Sequence, residues 1–526
     1  MTGWIDLPPA ASTGRGSASW GDGYVVDAPY FEPVLTDLSP AWLSFLSVLH
    51  GQPPLDLARP LTWLDLGAAS GISACMVAAA NPTVDVWGFD HNPGHVERGR
   101  GLAARAGLAN CHFEEASFAT LAADRTIGPA EADVIVVSGV YSWVSAANQG
   151  HIREIIRQRL RPGGLAYVMY ETAPGWSSMV PLAEALRLLT DADGRRPDQA
   201  FHDAAAALQA LAEAGSPYFP LGAREQVQMD GWPDADGFYA AHEYLGHHFG
   251  PLLFDDVVHA MGEARCSYLG QVDATDHLAA YWAPPAVIDV VHGAPDPVTR
   301  ELYRDLIGQR PLRRDLYRRG LQISTPLQHQ TALADLQVVG LGHPFRDDPV
   351  NVVAGGITLD PAFYQPLLGV LTTQRLDIAT ILEIHTDWTF LDAAVALSLL
   401  VAAGYAAPAA TGRPSPDAVA ACDRLTGVLI DENRLGADHA TVLSPVAGSA
   451  VEVDSVGVLA LGELWDGAAP DPGELADRVL DGLGHQGRLI RHERELVADR
   501  DTARTVAAER TARLLGLLGP HQISHP

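Results

Sequence analysis

Between Leu61 and Tyr170 the chain alternates short apolar runs with amphipathic stretches, and this alternation constrains the fold more than any other feature. Leu61–Leu66, Val84–Phe89, Asn110–Phe113, Asp133–Val137 and Leu165–Tyr170 read as strands, the last entered through Pro162-Gly163-Gly164. Ile72–Ala80, His95–Ala106 and Gln149–Leu160 read as the helices between them. Strands alternating with helices of this length predict an α/β architecture, a parallel sheet with helices on both faces. An earlier helix ends at Leu49, with Ser39 as its N-cap and Pro40 at its first position.

The first strand carries the most informative motif, Thr62-Trp-Leu-Asp-Leu-Gly-Ala-Ala-Ser-Gly71. It ends in an acidic residue and runs into a turn of small residues that opens a helix. Glycine there lets the backbone approach a ligand closely, and the helix N-terminus supplies free N–H groups. The second strand ends at Asp90, nineteen residues after Gly71. A carboxylate at that place faces the ribose hydroxyls of a bound nucleoside. The plainer alternative is an ordinary strand-to-helix turn followed by an exposed aspartate. A dinucleotide needs G-x-G-x-x-G to cradle its pyrophosphate, whereas here the spacing is Gly67-x-x-x-Gly71 with no arginine in the turn. A cationic sulfonium fits better, and Asp65 favours a cation electrostatically.

On these residues the sequence resembles the class I S-adenosylmethionine-dependent methyltransferases. Leu64-Asp-Leu-Gly-Ala-Ala-Ser-Gly71 is similar to the first motif of that family and Trp87-Gly-Phe-Asp90 to the second. Ser138-Gly-Val-Tyr-Ser-Trp-Val144 and Tyr170-Glu-Thr-Ala-Pro-Gly-Trp176 resemble a subfamily that carries a methyltransferase regulatory domain. That subfamily includes bacterial protein lysine methyltransferases acting on outer-membrane proteins. The resemblance continues through Ala241-His-Glu-Tyr-Leu245, Leu252-Leu-Phe-Asp255 and Arg310-Pro-Leu-Arg-Arg-Asp-Leu316, so it spans residues 24–345. Four positions depart from the pattern: Ala69 replaces the middle glycine, Ser117 an acidic residue beside the adenine, Ser138 a histidine and Glu171 an asparagine.

The resemblance implies a Rossmann-like methyltransferase sheet and S-adenosyl-L-methionine as cofactor. Asp65, Gly67 and Gly71 would hold its methionine end, Asp90 its ribose, and Ser117 with Phe118 its adenine. Ser138 would lie beside it, with Tyr24 and Tyr30 closing over it. For the two tyrosines, simple packing of the N-terminal segment is an equal alternative. The chain reads as three regions: a cofactor-binding core over 1–180, a helical middle or regulatory region over 181–345, and, beyond a shift in composition near Pro344–Pro349, a mostly helical module over 346–526. In that module Pro361–Leu371, Ile378–Ile384 and Phe390–Gly404 resemble a winged helix.

Methyl transfer from a sulfonium is an in-line displacement that depends on alignment and exclusion of water. A lysine acceptor must also lose a proton from a group with an ordinary pKa of about 10.4. An aromatic, poorly solvated channel beside a cation favours that loss, and aromatic faces tolerate the methylated product. Strand carboxyl ends face the ligand crevice, which selects Tyr141 and Trp143 after the fourth strand and Tyr170, Glu171 and Trp176 after the fifth. Tyr141 and Glu171 are the expected proton acceptors or amine-orienting groups, and the tryptophans the channel walls. Alternatively the tryptophans are core residues and Glu171 a solvated loop charge. The favoured activity is N-methylation of lysine in a protein or peptide. Methylation of a small natural product at oxygen or nitrogen is the second reading, and an inactive cofactor binder the third.

Composition narrows the partners. The 526 residues carry 64 acidic against 35 basic side chains, a net charge of -29. Such a surface repels phosphate backbones and suits a basic protein substrate, with a homodimer as a further partner. Every basic residue is arginine, for the chain contains no lysine. Codon bias explains this blandly; protection from self-methylation explains it functionally, since arginine keeps its charge and stays protonated. Cys75, Cys111, Cys266 and Cys422 form no CxxC pair, no signal peptide or membrane span is visible, and the cytoplasm is the expected compartment. No metal is expected, because His242 and His247 are five apart and cannot form HExxH; with Glu243 and His248 they read as a helix-face cluster between domains. The amphipathic, arginine-rich segment Arg304–Arg319, interleaved with Asp305 and Asp315, reads as an interdomain salt-bridge face.

Overall fold

The computed structural model describes residues 21–26, 34–219, 222–277, 283–352, 355–492 and 495–524. At its centre lies a seven-stranded sheet ordered β3-β2-β1-β4-β5-β7-β6. The strands are β1 (Leu61–Leu66), β2 (Val84–Asp90), β3 (Cys111–Glu115), β4 (Ala132–Val137), β5 (Leu160–Glu171), β6 (Cys266–Gln271) and β7 (Leu312–Arg319). The first five are mutually parallel, and β7 runs antiparallel between β5 and β6. The helices before and between the first five strands are α1 (Pro40–Leu49), α2 (Ile72–Ala80), α3 (Pro93–Arg105), α4 (Phe118–Ala123) and α5 (Ala146–Arg159).

Two-residue periodicity divides the strands between two cores. Trp63, Val86, Val134 and Val136 pack with residues of α1, α2 and α3 on one face; Leu64, Leu66, Ile135 and Val137 pack with Ile152, Ile155 and Ile156 of α5 on the other. β4 is buried at every position, as a strand covered on both faces must be. α1 starts as its sequence predicts: the Ser39 hydroxyl accepts from the Trp42 N–H at 3.0 Å, with Pro40 at the first position.

The middle region is not only helical. Val180–Asp193, Pro197–Glu213 and Gly237–Tyr244 pack around Phe201, Trp232 and Leu186. β6 and β7, however, extend the central sheet. The single amphipathic segment read over Arg304–Arg319 is therefore corrected to the end of helix Pro297–Gly308 followed by β7. Alternation along β7 brings Arg313, Asp315 and Tyr317 to one buried face. There Arg313 pairs with Asp305 at 2.7 Å, Glu301 at 2.8 Å and Asp315 at 3.0 Å, and lies 4.3 Å over the Phe254 ring. Burial of charged groups of this kind requires that every member be paired.

Beyond it, strands Gln337–Gly340, Leu376–Asp377 and Ala406–Ala409 form a small antiparallel sheet beside helices Pro361–Leu371, Ile378–Ile384 and Phe390–Ala402. The long helix Pro416–Arg434 lies against α2 and α3, where Glu432 takes a bidentate pair from Arg98, both contacts 2.7 Å, and bonds to Arg105 and His439. Among the described residues no helix is long and apolar enough to cross a membrane.

Candidate active site

The strand order reverses between β1 and β4, and the carboxyl ends of β1, β2, β4 and β5 meet at that edge of the sheet. Such a switch point opens a crevice for a ligand. Gly67 and Gly71 adopt φ of +86° and +76°, which glycine tolerates freely. A Cβ at Gly67 would meet the Val140 side chain, and one at Gly71 the Phe113 ring. Ala69, at φ +48°, holds a left-handed conformation at a steric cost. Its N–H donates to Asp90 Oδ2 at 2.9 Å, and the Asn92 N–H donates to Oδ1 at 2.8 Å. His95 and His91 approach the same Oδ1 at 3.4 and 3.6 Å. Burial opposes the Asp90 charge, but His95, Asn92 and His91 outweigh it and hold the carboxyl below its ordinary range. A carboxylate offers about four acceptor directions, so hydroxyls can still bind there.

Asp65 is buried one residue before the end of β1. Burial, and then the neighbouring Asp90 charge, push its carboxyl up to about 7; among the described residues no cation or donor counters them. Among the described residues nothing neutralises this group, so a cationic ligand suits it. The Asp65 carboxylate suits the ammonium and sulfonium of S-adenosylmethionine, and the N–H groups opening α2 beside the turn's glycines suit its carboxylate.

The remaining expected cofactor residues spread along the same edge. Ser117 is exposed and caps α4, its hydroxyl accepting from the Thr120 N–H at 3.1 Å, and Phe118 beside it is half-buried. Ser138 follows β4 and donates to the Met169 sulfur at 3.4 Å. The Tyr24 ring lies 6.3 Å from that of His91 and 5.5 Å from that of His242. Tyr30 lies outside the described residues.

On the other side of the crevice, Glu171 ends β5 with 8% exposure. Burial pushes its carboxyl up, against hydrogen bonds from its own backbone, Ser142 and Trp143. Its Oε2 has no hydrogen-bond partner among the described residues. Trp143 and Trp176 are both buried and both touch the Phe249 ring, with centroids 4.4 and 4.8 Å apart. The structure therefore brings Glu171, Trp143 and Trp176 together.

It does not bring Tyr141 or Tyr170 to them. Tyr170 points into the Arg313 cluster, its hydroxyl donating to Asp315 Oδ2 at 2.7 Å. Tyr141 lies in the core beneath α5, where burial raises its hydroxyl and Arg153 opposes the shift. In a strand, neighbours face opposite sides, so Tyr170 and Glu171 cannot share the crevice.

Two residues of helix Gly237–Tyr244, not among the sequence candidates, feel the charge of Glu171. Glu243 is pushed up to about 8 by burial, then by the charge of Glu171, while a hydrogen bond with Tyr239 opposes the shift. Burial and then Glu243 raise Tyr239 in turn. The Ala241–Leu245 resemblance was the available signal; reading His242-Glu243 as a packing cluster hid it. His242 does pack, against Tyr24, and among the described residues no three potential ligands gather to hold a metal.

Comparison with known proteins gives two matches to family descriptions: residues 58–192 match "Methyltransferase domain" and residues 236–319 match "Predicted methyltransferase regulatory domain". A Synechocystis protein described as uncharacterized is 26% identical over 451 residues, 84% of this chain and 88% of its own. A Rickettsia prowazekii protein, also described as uncharacterized, is 27% identical over 226 residues, 42% of this chain and 86% of its own. Among solved structures, PKMT2 from Rickettsia typhi in complex with AdoHcy shares the fold, with a TM-score of 0.67 at 19% identity over 93% of this chain and 99% of that one.

Proposed function

We propose that this chain, a class I S-adenosylmethionine-dependent methyltransferase with a methyltransferase regulatory domain, N-methylates lysine side chains of a protein or peptide. One observation carries the choice of acceptor: a buried carboxylate with an open oxygen, Glu171 Oε2, beside Trp143 and Trp176 at the edge of the crevice that Asp65 and Asp90 line. The Ser138–Val144 and Tyr170–Trp176 resemblance and the likeness to PKMT2 agree with it.

Asp65 and the Gly67–Gly71 turn would hold the methionine end of the cofactor, Asp90 the ribose hydroxyls, and Ser117 with Phe118 the adenine. When bound, S-adenosylmethionine supplies an electrophilic methyl group. Trp143 and Trp176 exclude water and present faces that accept a cation. Glu171 Oε2 accepts an N–H of the lysine ammonium, orients its nitrogen and takes one proton from it, leaving a neutral amine and a protonated carboxyl. The raised affinity of Glu171 for protons serves this role, since a base is most effective when its pKa lies near the working pH.

The test is transfer of isotopically labelled methyl to a cell extract and to basic proteins, with the modified residue located by mass spectrometry. Label in lysine, reduced about a hundredfold or more in Glu171→Gln, is expected for a lost general base. Label confined to extractable small molecules would transfer the assignment to natural-product methylation, and cofactor binding without any label would leave an inactive relative.

A further inference from the structure

The end of β5 is held in a closed circuit of hydrogen bonds that runs through three elements. β4 pairs with β5 only as far as Val168, so beyond it that edge of β5 needs other partners. There the Glu171 N–H donates to Ser142 Oγ at 2.9 Å. The Glu171 carbonyl accepts from the Leu252 N–H at 2.8 Å, and the Ser142 carbonyl accepts from the Gly250 N–H at 2.9 Å. Ser142 follows β4, Glu171 ends β5, and Gly250 and Leu252 belong to the stretch matched to the regulatory family. The Leu252 carbonyl accepts in turn from the Ala173 N–H at 2.9 Å, which carries the same seam past the strand.

Ser142 closes this circuit with a side chain; every other link is backbone. It is 1% exposed, and its hydroxyl lies between the Glu171 N–H at 2.9 Å and the Glu171 carbonyl at 3.5 Å. A hydroxyl suits the place because it accepts and donates at once. Alanine there would leave the Glu171 N–H buried with no acceptor, a penalty that local rearrangement relieves. The part that would move carries Glu171 Oε2. A misplacement of about 1 Å in a reacting group can cost about a hundredfold in rate.

We propose that Ser142 is a positioning residue for Glu171, its hydroxyl fixing the end of β5 and its carbonyl tying that end to Gly250 of the regulatory segment. This deepens the lysine reading and rests on it for the role of Glu171 as proton acceptor. Ser142 bears on charge as well as place. Burial raises the Glu171 carboxyl, and hydrogen bonds from its own backbone, Ser142 and Trp143 oppose the rise. Glu243 and Tyr239 of helix Gly237–Tyr244 feel the Glu171 charge in turn. Loss of the Ser142 hydroxyl therefore moves the titration of Glu171 to higher pH.

The experiment uses the full chain and two readouts. Infrared difference spectra follow protonation of the Glu171 carboxyl, its band assigned by disappearance in Glu171→Gln. Labelled methyl transfer to poly-L-lysine gives kcat and the pH profile of kcat/KM, whose acid limb reports the base of the free enzyme. Ser142→Ala is expected to move both the infrared titration and the acid limb to higher pH. It should lower kcat at pH 7 about tenfold or more, with the KM for S-adenosylmethionine unchanged within twofold. Ser142→Cys keeps the volume and offers only a weak acceptor, so it should show the same displacement even where the alanine variant does not fold. An unmoved titration and an unchanged kcat in a variant with a cooperative melt overturn the role. The two readings fail separately. Lysine label with unmoved titration and kcat removes the positioning role and leaves the activity. A displaced titration without label in any lysine keeps the positioning role and removes the activity.

Discussion

The Ala69 N–H donates to Asp90 Oδ2 at 2.9 Å, so the turn after β1 and the end of β2 form one hydrogen-bonded unit. The bond crosses the two places where a class I cofactor would be gripped. Ala69 makes it from a left-handed conformation, at φ +48°. The backbone thus fixes the Asp90 carboxylate before any ligand arrives.

Replacing Ala69 by glycine relieves a left-handed cost of about 1–2 kcal/mol and adds about 0.5–1 kcal/mol of chain entropy. The thermal midpoint is expected to hold or rise slightly. Removing the methyl should leave S-adenosylhomocysteine binding equal or up to about fivefold tighter, a change of roughly 1 kcal/mol. Calorimetric titration decides this. A loss of affinity would mean that the methyl contributes a contact.

Asp65, raised from 3.8 to about 7, holds a proton in the folded protein that the unfolded chain has already released. Between these values the native state binds more protons, so stability is greatest at the acid end and falls as pH rises through about 7. Glu243 acts in the same direction, up to about 8. The Asp65 contribution is at most about 4 kcal/mol, at 1.36 kcal/mol per pKa unit. Asp65→Asn should flatten the profile, and S-adenosylmethionine should bind the wild type more tightly as pH rises towards 7, with release of a proton below that pH. Thermal melts from pH 5.5 to 8.5 would count against this if the two proteins ran parallel.

Glu432 joins helix Pro416–Arg434 to α3, the helix that starts just after Asp90. Burial works against its charge, yet Arg98, His439 and Arg105 hold its carboxyl at about 2. Glu432→Ala removes the carboxylate that Arg98 and Arg105 share and should cost about 1–3 kcal/mol, less than loss of a fully buried pair because both arginines are partly exposed. It should also weaken S-adenosylhomocysteine binding several-fold. Unchanged affinity in a folded variant would confine Glu432 to a purely structural role.

The lysine-free composition yields its own test. Arg478, Arg500 and Arg504 form ion pairs with Glu474, Asp481 and Asp477 on the exposed faces of the C-terminal helices. Exposed pairs of this kind contribute roughly 0–1 kcal/mol, so replacing all three with lysine should leave the fold intact. If the surface is kept free of amines to prevent self-modification, the triple variant incubated with cofactor should acquire methyl groups at those positions, seen as mass increments. An unmodified variant that still methylates its substrate would favour codon bias.

Much of the cofactor side was legible in the sequence because its signals are local. β1, β4 and the turn between Leu66 and Ile72 are contiguous runs whose residue types suit only a buried strand or a tight bend. β7 was not legible, since Leu-Arg-Arg-Asp-Leu-Tyr-Arg-Arg lacks the apolar signature of a covered strand. It is buried only because Glu301 and Asp305 of a preceding helix neutralise Arg313. The acceptor side was half legible. Strand ends pointed to Glu171 and the tryptophans, but residue type alone did not decide between Tyr170 and Glu171; the pleat, which turns Tyr170 to Asp315, did. Glu243 was hidden for a different reason: Glu171, whose charge it feels, lies more than sixty residues earlier, and reading His242-Glu243 as a packing cluster passed over it.

The position of β7 limits how this enzyme can be dismantled. Leu312–Arg318 is hydrogen-bonded along Leu165–Glu171, so the stretch matched to the regulatory family is woven into the catalytic sheet instead of hanging from it. A fragment cut after residue 192 would bare the whole flank of β5, an open template for aggregation. It would also lose the partner of the Tyr170 hydroxyl. Any signal reaching the regulatory segment must therefore act by small shifts along a shared ladder, since departure of the segment would unravel the enzyme itself.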